Sequence, residues 1–343
     1  MHRCLELAKS AAGSVAPNPM VGAVLVYKDR IIGEGFHQHY GGPHAEVNCI
    51  NDVKYDNKSF ISESTLYVSL EPCAHFGKTP PCTNLIIKNK IPKVVIGCRD
   101  PFKDVDGKGI EKLKVAGIDV TIGVMEKESK ELNKRFFVFN TLHRPYIILK
   151  WAESKNKKIG SGSTERLFIS NEFSNRLNHK WRSEEASILV GTNTALMDDP
   201  QLTNRLWNGS SPVRVVIDSD LSLPSSLKLF DKRQKTIVFN TLKHEENDNL
   251  IYYQVTEDVN LVHQVVNALY QYKIQSVIIE GGAKILQAFI DEDYWDEARI
   301  ICNENLSIEN GINAPEIAGY TYVEEITVLT DKIRTIRHQK IAI

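Results

Sequence analysis

The feature that most narrows the folds open to this chain is a set of three metal-ligating side chains spread along its first quarter. His44 stands in the run His44-Ala45-Glu46, and Cys73 and Cys82 bracket the run Pro72-Cys73-Ala74-His75-Phe76-Gly77-Lys78-Thr79-Pro80-Pro81-Cys82. One imidazole and two thiolates make three protein ligands for a zinc ion whose fourth tetrahedral position stays open to water. A fold that uses them must bring the two segments together. Water at such a position has its pKa lowered from about 15.7 to about 7, so hydroxide is available at neutral pH to attack a ring carbon bearing an amine. Glu46 is placed to carry protons to the departing ammonia, and hydrolytic deamination is the reaction this set suits best.

Two other readings use the same residues. Cys73 and Cys82 can close a small loop as a disulfide, or the set can be a structural zinc site completed by His75 or His37. The six cysteines (Cys4, Cys49, Cys73, Cys82, Cys98, Cys302) are scattered without a disulfide framework, which favours metal ligands. A Glu two residues after the ligand His, and a Pro before the first Cys, resemble the pattern of zinc deaminases, in which that Glu is not a ligand. The catalytic site is therefore the expectation.

At 343 residues the chain exceeds the size at which single cores stop growing, so two domains are expected. Lys plus Arg number 42 against 43 Asp plus Glu, and this balance recommends no nucleic-acid partner. The basic runs Lys155 to Lys158 and Lys232 to Lys235 are short and read as solvated loops. No apolar stretch approaches the roughly 20 residues that cross a bilayer, so no membrane is expected. Glu6 and Lys9 interrupt what would be the apolar core of a signal peptide, and the N-terminus reads as an amphipathic helix. The expected compartment is the cytoplasm.

Strand-like runs Val21 to Tyr27 and Ile31 to Phe36 flank a tight turn and predict an antiparallel hairpin. Helices and strands then alternate to Ile122, which implies a sheet covered by helices on both faces. Prolines place both metal clusters, at His44 and at Cys73, where helices begin. The polar stretch Asn140 to Pro145 marks a boundary, giving domains 1–143 and 144–343. Beyond it, Val259, Val262, Val266, Leu269 and Tyr270 form one face of a helix running from Val259 to Tyr272. Runs near Ala298 to Cys302, Val323 to Leu329 and Ile333 to Ile336 read as antiparallel strands at a sheet edge. A buried strand into Glu280-Gly281-Gly282-Ala283 and a helix, and the polar cluster from Gly191 to Arg205, each suit a phosphate-bearing ligand or plain turn chemistry.

Ala16-Pro17-Asn18-Pro19-Met20-Val21-Gly22, His44-Ala45-Glu46, the Glu71 to Cys82 run and the Gly191 to Arg205 run, in this order, resemble the bifunctional riboflavin-biosynthesis deaminase/reductases. The eight-residue gap between Cys73 and Cys82 is specific to that branch of zinc deaminases. The resemblance implies an α/β chain, with a cytidine-deaminase-like α/β/α domain followed by a dihydrofolate-reductase-like α/β domain. It implies deamination of 2,5-diamino-6-ribosylamino-4(3H)-pyrimidinone 5′-phosphate, then reduction of the ribosyl to the ribityl group by NADPH. His44, Cys73 and Cys82 match the Zn²⁺ ligands and Glu46 the proton shuttle. Asn18, His37, His75 and Lys78 match positions that hold the deaminase substrate, Lys78 through its phosphate.

By the same resemblance Ala152, Phe168, Thr194, Asp198, Ser219, Gly281, Gly282, Ala283 and Lys284 match cofactor contacts. Arg182, Leu202, Arg205 and Glu280 match contacts to the reductase substrate, and Lys150 with Glu280 would orient the sugar. The chain departs from the family at Asn156-Lys157, where an Asp-Gly pair is usual, losing a charge and glycine's backbone freedom. Rival readings are a deaminase with an inactive or binding-only second domain, another nucleoside or nucleobase deaminase, and a zinc-stabilised nucleotide-binding protein. The resemblance also implies a homo-oligomer, dimer or tetramer, formed through the second domain.

Overall fold

The computed structural model describes residues 1–77, 80–103, 105–161 and 167–340. The chain divides into two compact units, Met1–His143 and a second beginning at Arg144. In the first, α1 (His2–Lys9) precedes a hairpin of β1 (Gly22–Tyr27) and β2 (Arg30–Phe36). The turn residues Lys28 and Asp29 both have positive φ, +47° and +63°, the twist that a two-residue hairpin loop requires. Then follow α2 (Ala45–Asp52), β3 (Thr65–Leu70), α3 (Cys82–Lys88), β4 (Lys93–Cys98), α4 (Lys108–Val115), β5 (Asp119–Ile122), α5 (Glu126–Leu132) and α6 (Lys134–Leu142).

The five strands form one sheet in the order β2-β1-β3-β4-β5, antiparallel from β2 to β3 and parallel from β3 to β5. Helices lie on both of its faces, as two glycines show. A Cβ on Gly22 would meet the Cys4 carbonyl oxygen of α1 at 2.0 Å, and one on Gly35 would meet the Cys49 nitrogen of α2 at 2.3 Å. Gly35 pairs with Ala23, one residue out of phase with Gly22, and side chains alternate across a strand. The backbone of α1 therefore presses on one face and that of α2 on the other. Leu25, Leu66, Val68, Ile86, Val94, Ile96 and Leu113 fill the core between the sheet and its helices.

Asn140 to Leu142, expected in the boundary, belong to α6. Asn140 and Thr141 donate their side-chain hydrogen bonds to the carbonyls of Phe136 and Phe137 at 2.8 Å, which accommodates polar groups inside a helix.

The second unit comprises β6 (Tyr146–Ser154), β7 (Lys158–Gly160), α7 (Glu172–Glu184), β8 (Ser187–Gly191), α8 (Thr192–Asp198), β9 (Val213–Ile217), β10 (Thr236–Asn240), β11 (Glu245–Asn247), β12 (Leu250–Gln254), α9 (Leu261–Gln271), β13 (Ser276–Glu280), α10 (Ala283–Asp291), β14 (Glu297–Asn303), β15 (Ile312–Asn313), β16 (Tyr320–Val328) and β17 (Asp331–His338). Ten of its strands make one sheet in the order β11-β12-β10-β9-β8-β13-β6-β14-β17-β16. The seven from β12 to β14 run parallel, and antiparallel strands close both ends. The central strands are apolar runs buried on both faces, as parallel sheets demand.

Three expectations change here. The Ala298 to Cys302 run is not an edge strand, since β14 pairs parallel with β6 inside the sheet, and only β17 and β16 form the antiparallel margin. Val259 lies before α9, because the Asn260 side chain accepts from the Val262 N–H at 2.8 Å and starts the helix there. The face that α9 buries is Val262, Val265, Val266, Ala268 and Leu269.

Candidate active sites

In the first unit β1 and β2 carry α2 against the sheet so that His44, the N-cap of α2, faces the start of α3. His44 Nδ1 lies 3.5 Å from Cys73 Sγ and 3.4 Å from Cys82 Sγ, and the three ligand atoms lie within 4.8 Å of one another. A zinc ion with tetrahedral bonds of about 2.3 Å to sulfur and about 2.0 Å to nitrogen sets such atoms about 3.5 Å apart, so the set fits the ion. Both cysteines are free thiols, which removes the disulfide alternative.

Cys73, expected at a helix start, instead sits in extended backbone after β3. Pro80 and Pro81 delay the helix to Cys82, yet its first turn still serves Cys73. The Cys82 N–H donates to Cys73 Sγ at 3.3 Å, and Thr83 donates to the Cys73 carbonyl. Cys73 is held down at about 4, first by hydrogen bonding from the Cys82 thiol and then from His44, while Cys82 is pushed up by sharing that proton with its neighbour. Two sulfurs and a carboxylate this close favour a dication between them.

Glu46 is buried in the first turn of α2, and burial followed by the Cys73 charge raises its pKa. His37 is also buried. Its Nδ1 donates to the Pro43 carbonyl at 2.9 Å and its Nε2 accepts from the Asn18 amide at 3.0 Å. Both ring nitrogens are thus engaged, so His37 does not complete the metal set. It stands edge-on to His44 with ring centres 5.5 Å apart, and so brings Asn18 to the site. His75 is exposed beside Phe102, and among the described residues no fourth His, Cys, Asp or Glu joins the three ligands. Lys78 lies outside the described residues.

Sequence reading gave no separate role to Glu71, the last residue before Pro72. Its buried carboxylate accepts backbone N–H groups of Asp100 (3.3 Å), Gly107 (3.0 Å), Gly109 (3.0 Å) and Ile110 (3.2 Å), fastening the start of α4 to the segment that leads into Cys73. Asp100, at the carboxyl end of β4, was likewise missed; burial and then the Glu71 charge push its pKa up to about 7. The only signal in the sequence was an acid beside a proline in each case.

In the second unit the polar groups gather at the carboxyl ends of adjacent parallel strands, where open α/β sheets hold ligands. Glu280 ends β13 directly opposite Lys150 on β6. Its Oε1 accepts from Lys150 Nζ at 2.9 Å and from the Asn178 amide at 3.0 Å, and its Oε2 accepts from Arg182 Nη2 at 2.8 Å. Burial opposes the charge of Glu280, but the Arg182 and Lys150 cations outweigh it and hold the carboxylate well below its usual range. After Glu280 the backbone turns through Gly281 (φ +85°) and Gly282 (φ +33°) into Ala283, the first residue of α10, with Lys284 exposed beside it. A Cβ on Gly281 would meet the Thr194 methyl at 2.8 Å, so glycine is required both for backbone conformation and for space. The residues fit an anionic cofactor group: bare amides at a helix start, crossed by a hydroxyl-bearing side chain.

Arg182 also reaches the Thr203 carbonyl at 3.4 Å, and Arg205 donates to the Thr203 hydroxyl at 2.8 Å. Leu202 has a positive φ, +51°, and a side chain only 2% exposed, so its contact with a ligand would run through the backbone. Asp198 ends α8, Ser219 follows β9 and uses its carbonyl to bind Thr241, and Ala152 lies half-buried on β6. Phe168 is 75% exposed, just past the segment 162–166 that is not described. At the departure from the family, Lys157 adopts the left-handed conformation, φ +57°, that glycine would take. Asn156 bonds to the Ser154 hydroxyl and to both backbone groups of Ile308, so the turn is formed rather than displaced.

Residues 1–98 match the cytidine and deoxycytidylate deaminase zinc-binding region, and residues 145–303 match the RibD C-terminal domain. The chain is 38% identical to a riboflavin biosynthesis protein RibD of Aquifex aeolicus, covering 98% of this chain and 94% of that one. It is 37% identical to RibD of Bacillus amyloliquefaciens, over 87% and 81%. A crystal structure of a diaminohydroxyphosphoribosylaminopyrimidine deaminase/5-amino-6-(5-phosphoribosylamino)uracil reductase from Thermotoga maritima superposes with a TM-score of 0.89 at 35% identity, covering 98% and 97% of the two chains. With a zinc-type ligand set in one unit, a glycine turn beside a buried charge cluster in the other, and relatives matched nearly end to end, the chain belongs to the RibD family of bifunctional deaminase/reductase enzymes of riboflavin biosynthesis.

Proposed function

We propose that residues 1–143 hydrolyse the 2-amino group of 2,5-diamino-6-ribosylamino-4(3H)-pyrimidinone 5′-phosphate, and that residues 144–343 reduce the ribosyl group of the product to ribityl. The cofactors are Zn²⁺ and NADPH. Zinc supplies Lewis acidity that makes water nucleophilic at neutral pH. His44, Cys73 and Cys82 would hold it, and the observation that carries this reading is the fit of their 3.4 and 3.5 Å separations to one tetrahedral ion. Glu46, buried and raised in pKa, takes the proton from the attacking water and returns it to the leaving nitrogen, so that water adds and ammonia departs with no net proton lost. Asn18, held by His37, offers its remaining amide oxygen to the pyrimidine, while His75 and Lys78 flank the substrate's outer end.

NADPH donates hydride to the sugar carbon, and the protein's part is placement. Gly281, Gly282, Ala283 and Lys284 receive its phosphates, with Thr194, Asp198, Ser219, Ala152 and Phe168 around the rest of the cofactor. Lys150 and Glu280 orient the sugar, and Arg182, Leu202 and Arg205 hold the substrate's polar end. Purified protein given the diamino substrate and NADPH should release ammonia and oxidise NADPH in equal amounts. Ammonia without NADPH consumption would leave the second unit as a binding domain, and turnover of cytidine in place of the diamino substrate would redirect the first.

We also propose a homo-oligomer, dimer or tetramer, formed through the second unit. Tyr320, Tyr322, Val323 and Ile326 are exposed on the margin strand β16, whose outer edge supports such pairing. Sedimentation of the full chain tests this. No helix among the described residues is long and apolar enough to cross a membrane. Six unpaired thiols support a cytoplasmic location, and the charge balance supports small molecules rather than nucleic acid as ligands.

A further inference from the structure

One buried side chain near the second site is not used by the chemistry above. His179, on α7, is 1% exposed, and its Nδ1 accepts the backbone N–H of Arg205 at 3.0 Å. The same helix turns Asn178 and Arg182 onto Glu280, and Arg182 onto the Thr203 carbonyl. So α7 is a strut between the carboxylate at the end of β13 and the loop 202–205. That loop needs one. Leu202 sits in the left-handed region that side chains disfavour, and Asn204 is drawn the other way, its N–H bonded to Ser211 and its amide to the carbonyls of Trp207 and Gly209.

We infer that His179 is a positioning residue for the reduction: as a hydrogen-bond acceptor it fixes the Arg205 backbone, and with it the distance between the Arg205 guanidinium and Glu280, so that it sets affinity for the phosphorylated substrate. Burial, and then the Arg182 and Arg205 charges, keep the ring neutral, as an accepting nitrogen requires. A cationic imidazole would have no lone pair to offer and would stand among two guanidinium groups. The inference rests on the proposed reading of Arg205 as a substrate contact.

The test is kinetic, on the full chain supplied with the deaminated intermediate and NADPH. An Asn amide oxygen reaches the place of Nδ1, a Gln oxygen reaches one atom further, and Leu has no acceptor. His179→Asn should keep KM for the intermediate within about twofold, while His179→Gln and His179→Leu should raise it roughly tenfold, the scale of one lost hydrogen bond. The KM for NADPH and the deaminase rate should stay unchanged, because neither depends on the 202–205 loop. Should His179→Leu fail to fold, the Asn and Gln variants still decide, and equal KM values for those two overturn the inference. Arg205→Ala separates this from the underlying reading. If it raises KM and the His179 series does not, only the inference fails; if it leaves KM unchanged, the assignment of Arg205 fails.

Discussion

In the first unit the reactive atoms come from two short stretches, His44 to Glu46 and Cys73 to Cys82, each joined to the end of a helix that directs its side chains inward. In the second unit Lys150, Arg182, Arg205 and Glu280 come from three separate elements and a loop, and they meet only because β6 and β13 are neighbours and α7 crosses their ends. The contrast follows from the chemistry. A metal demands specific atoms at fixed distances, so its ligands are recognisable residue types at recognisable spacings. Hydride transfer demands that two bound molecules be held in line, which many side chains and backbone groups can accomplish. A metal site concentrates its information in a few residues; a placement site spreads it through the topology.

Four changes sharpen or break that contrast. The largest effect belongs to Cys82→Ser, which removes a ligand: zinc content by elemental analysis should fall from one per chain toward none after dialysis against a chelator, and deamination should become undetectable. NADPH oxidation with the deaminated intermediate should persist, and its loss would show that the second site depends on the first. Next is Glu46→Gln, for which zinc should be retained while the deamination rate falls by about a hundredfold or more, the scale of a lost general acid or base. Wild-type ammonia release by this variant would remove Glu46 from the mechanism.

Third, Glu280→Gln leaves Lys150 and Arg182 without their shared carboxylate. Reduction should be lost, and the second unit should be less stable by about 3 kcal/mol in urea titrations, as when one partner of a buried ion pair is removed. The sign of the pH dependence follows from the lowered pKa of Glu280. The stabilisation is fully present above its unfolded value of about 4.3 and disappears as pH falls below that toward the folded value, so wild type and variant should converge in acid. A constant gap between them at all pH values would show that the charge is not what stabilises. The smallest effect is expected from Gly281→Ala, where the Cβ meets Thr194 and the backbone has φ +85°. It should raise KM for NADPH severalfold with little change in stability beyond about 1 kcal/mol, and an unchanged KM would remove this turn from the cofactor site.

Much of the first site could be read before the fold was known, because His44, Cys73, Cys82 and Glu46 are chemically distinctive. Its support could not. Glu71 is an ordinary acid in sequence, and its value lies in four amides that converge on it from residues 100–110. Periodicity located α9 but assigned Val259 to its face, since nothing in an apolar pattern reveals that Asn260 ends the preceding loop. The strands β11 and β12 went unnoticed because Glu245 to Gln254 is rich in polar residues, and only the partner β10 makes a strand of Leu250–Gln254. The Asn156-Lys157 substitution looked like a break in the turn. The structure shows Asn156 and Ile308 exchanging two hydrogen bonds and Lys157 accepting a left-handed backbone.

The residues alone determined which chemistry this chain can perform, because ligand type, ligand spacing and the glycine turn are properties of the covalent sequence. Tertiary structure decided which groups act together: that Lys150 and Glu280 stand opposite one another, that His37 is spent on Pro43 and Asn18 rather than on metal, and that α7 ties the 202–205 loop to Glu280. Those pairings depend on strand order and helix placement, which arise from burying the apolar faces of the whole unit. No local pattern encodes them.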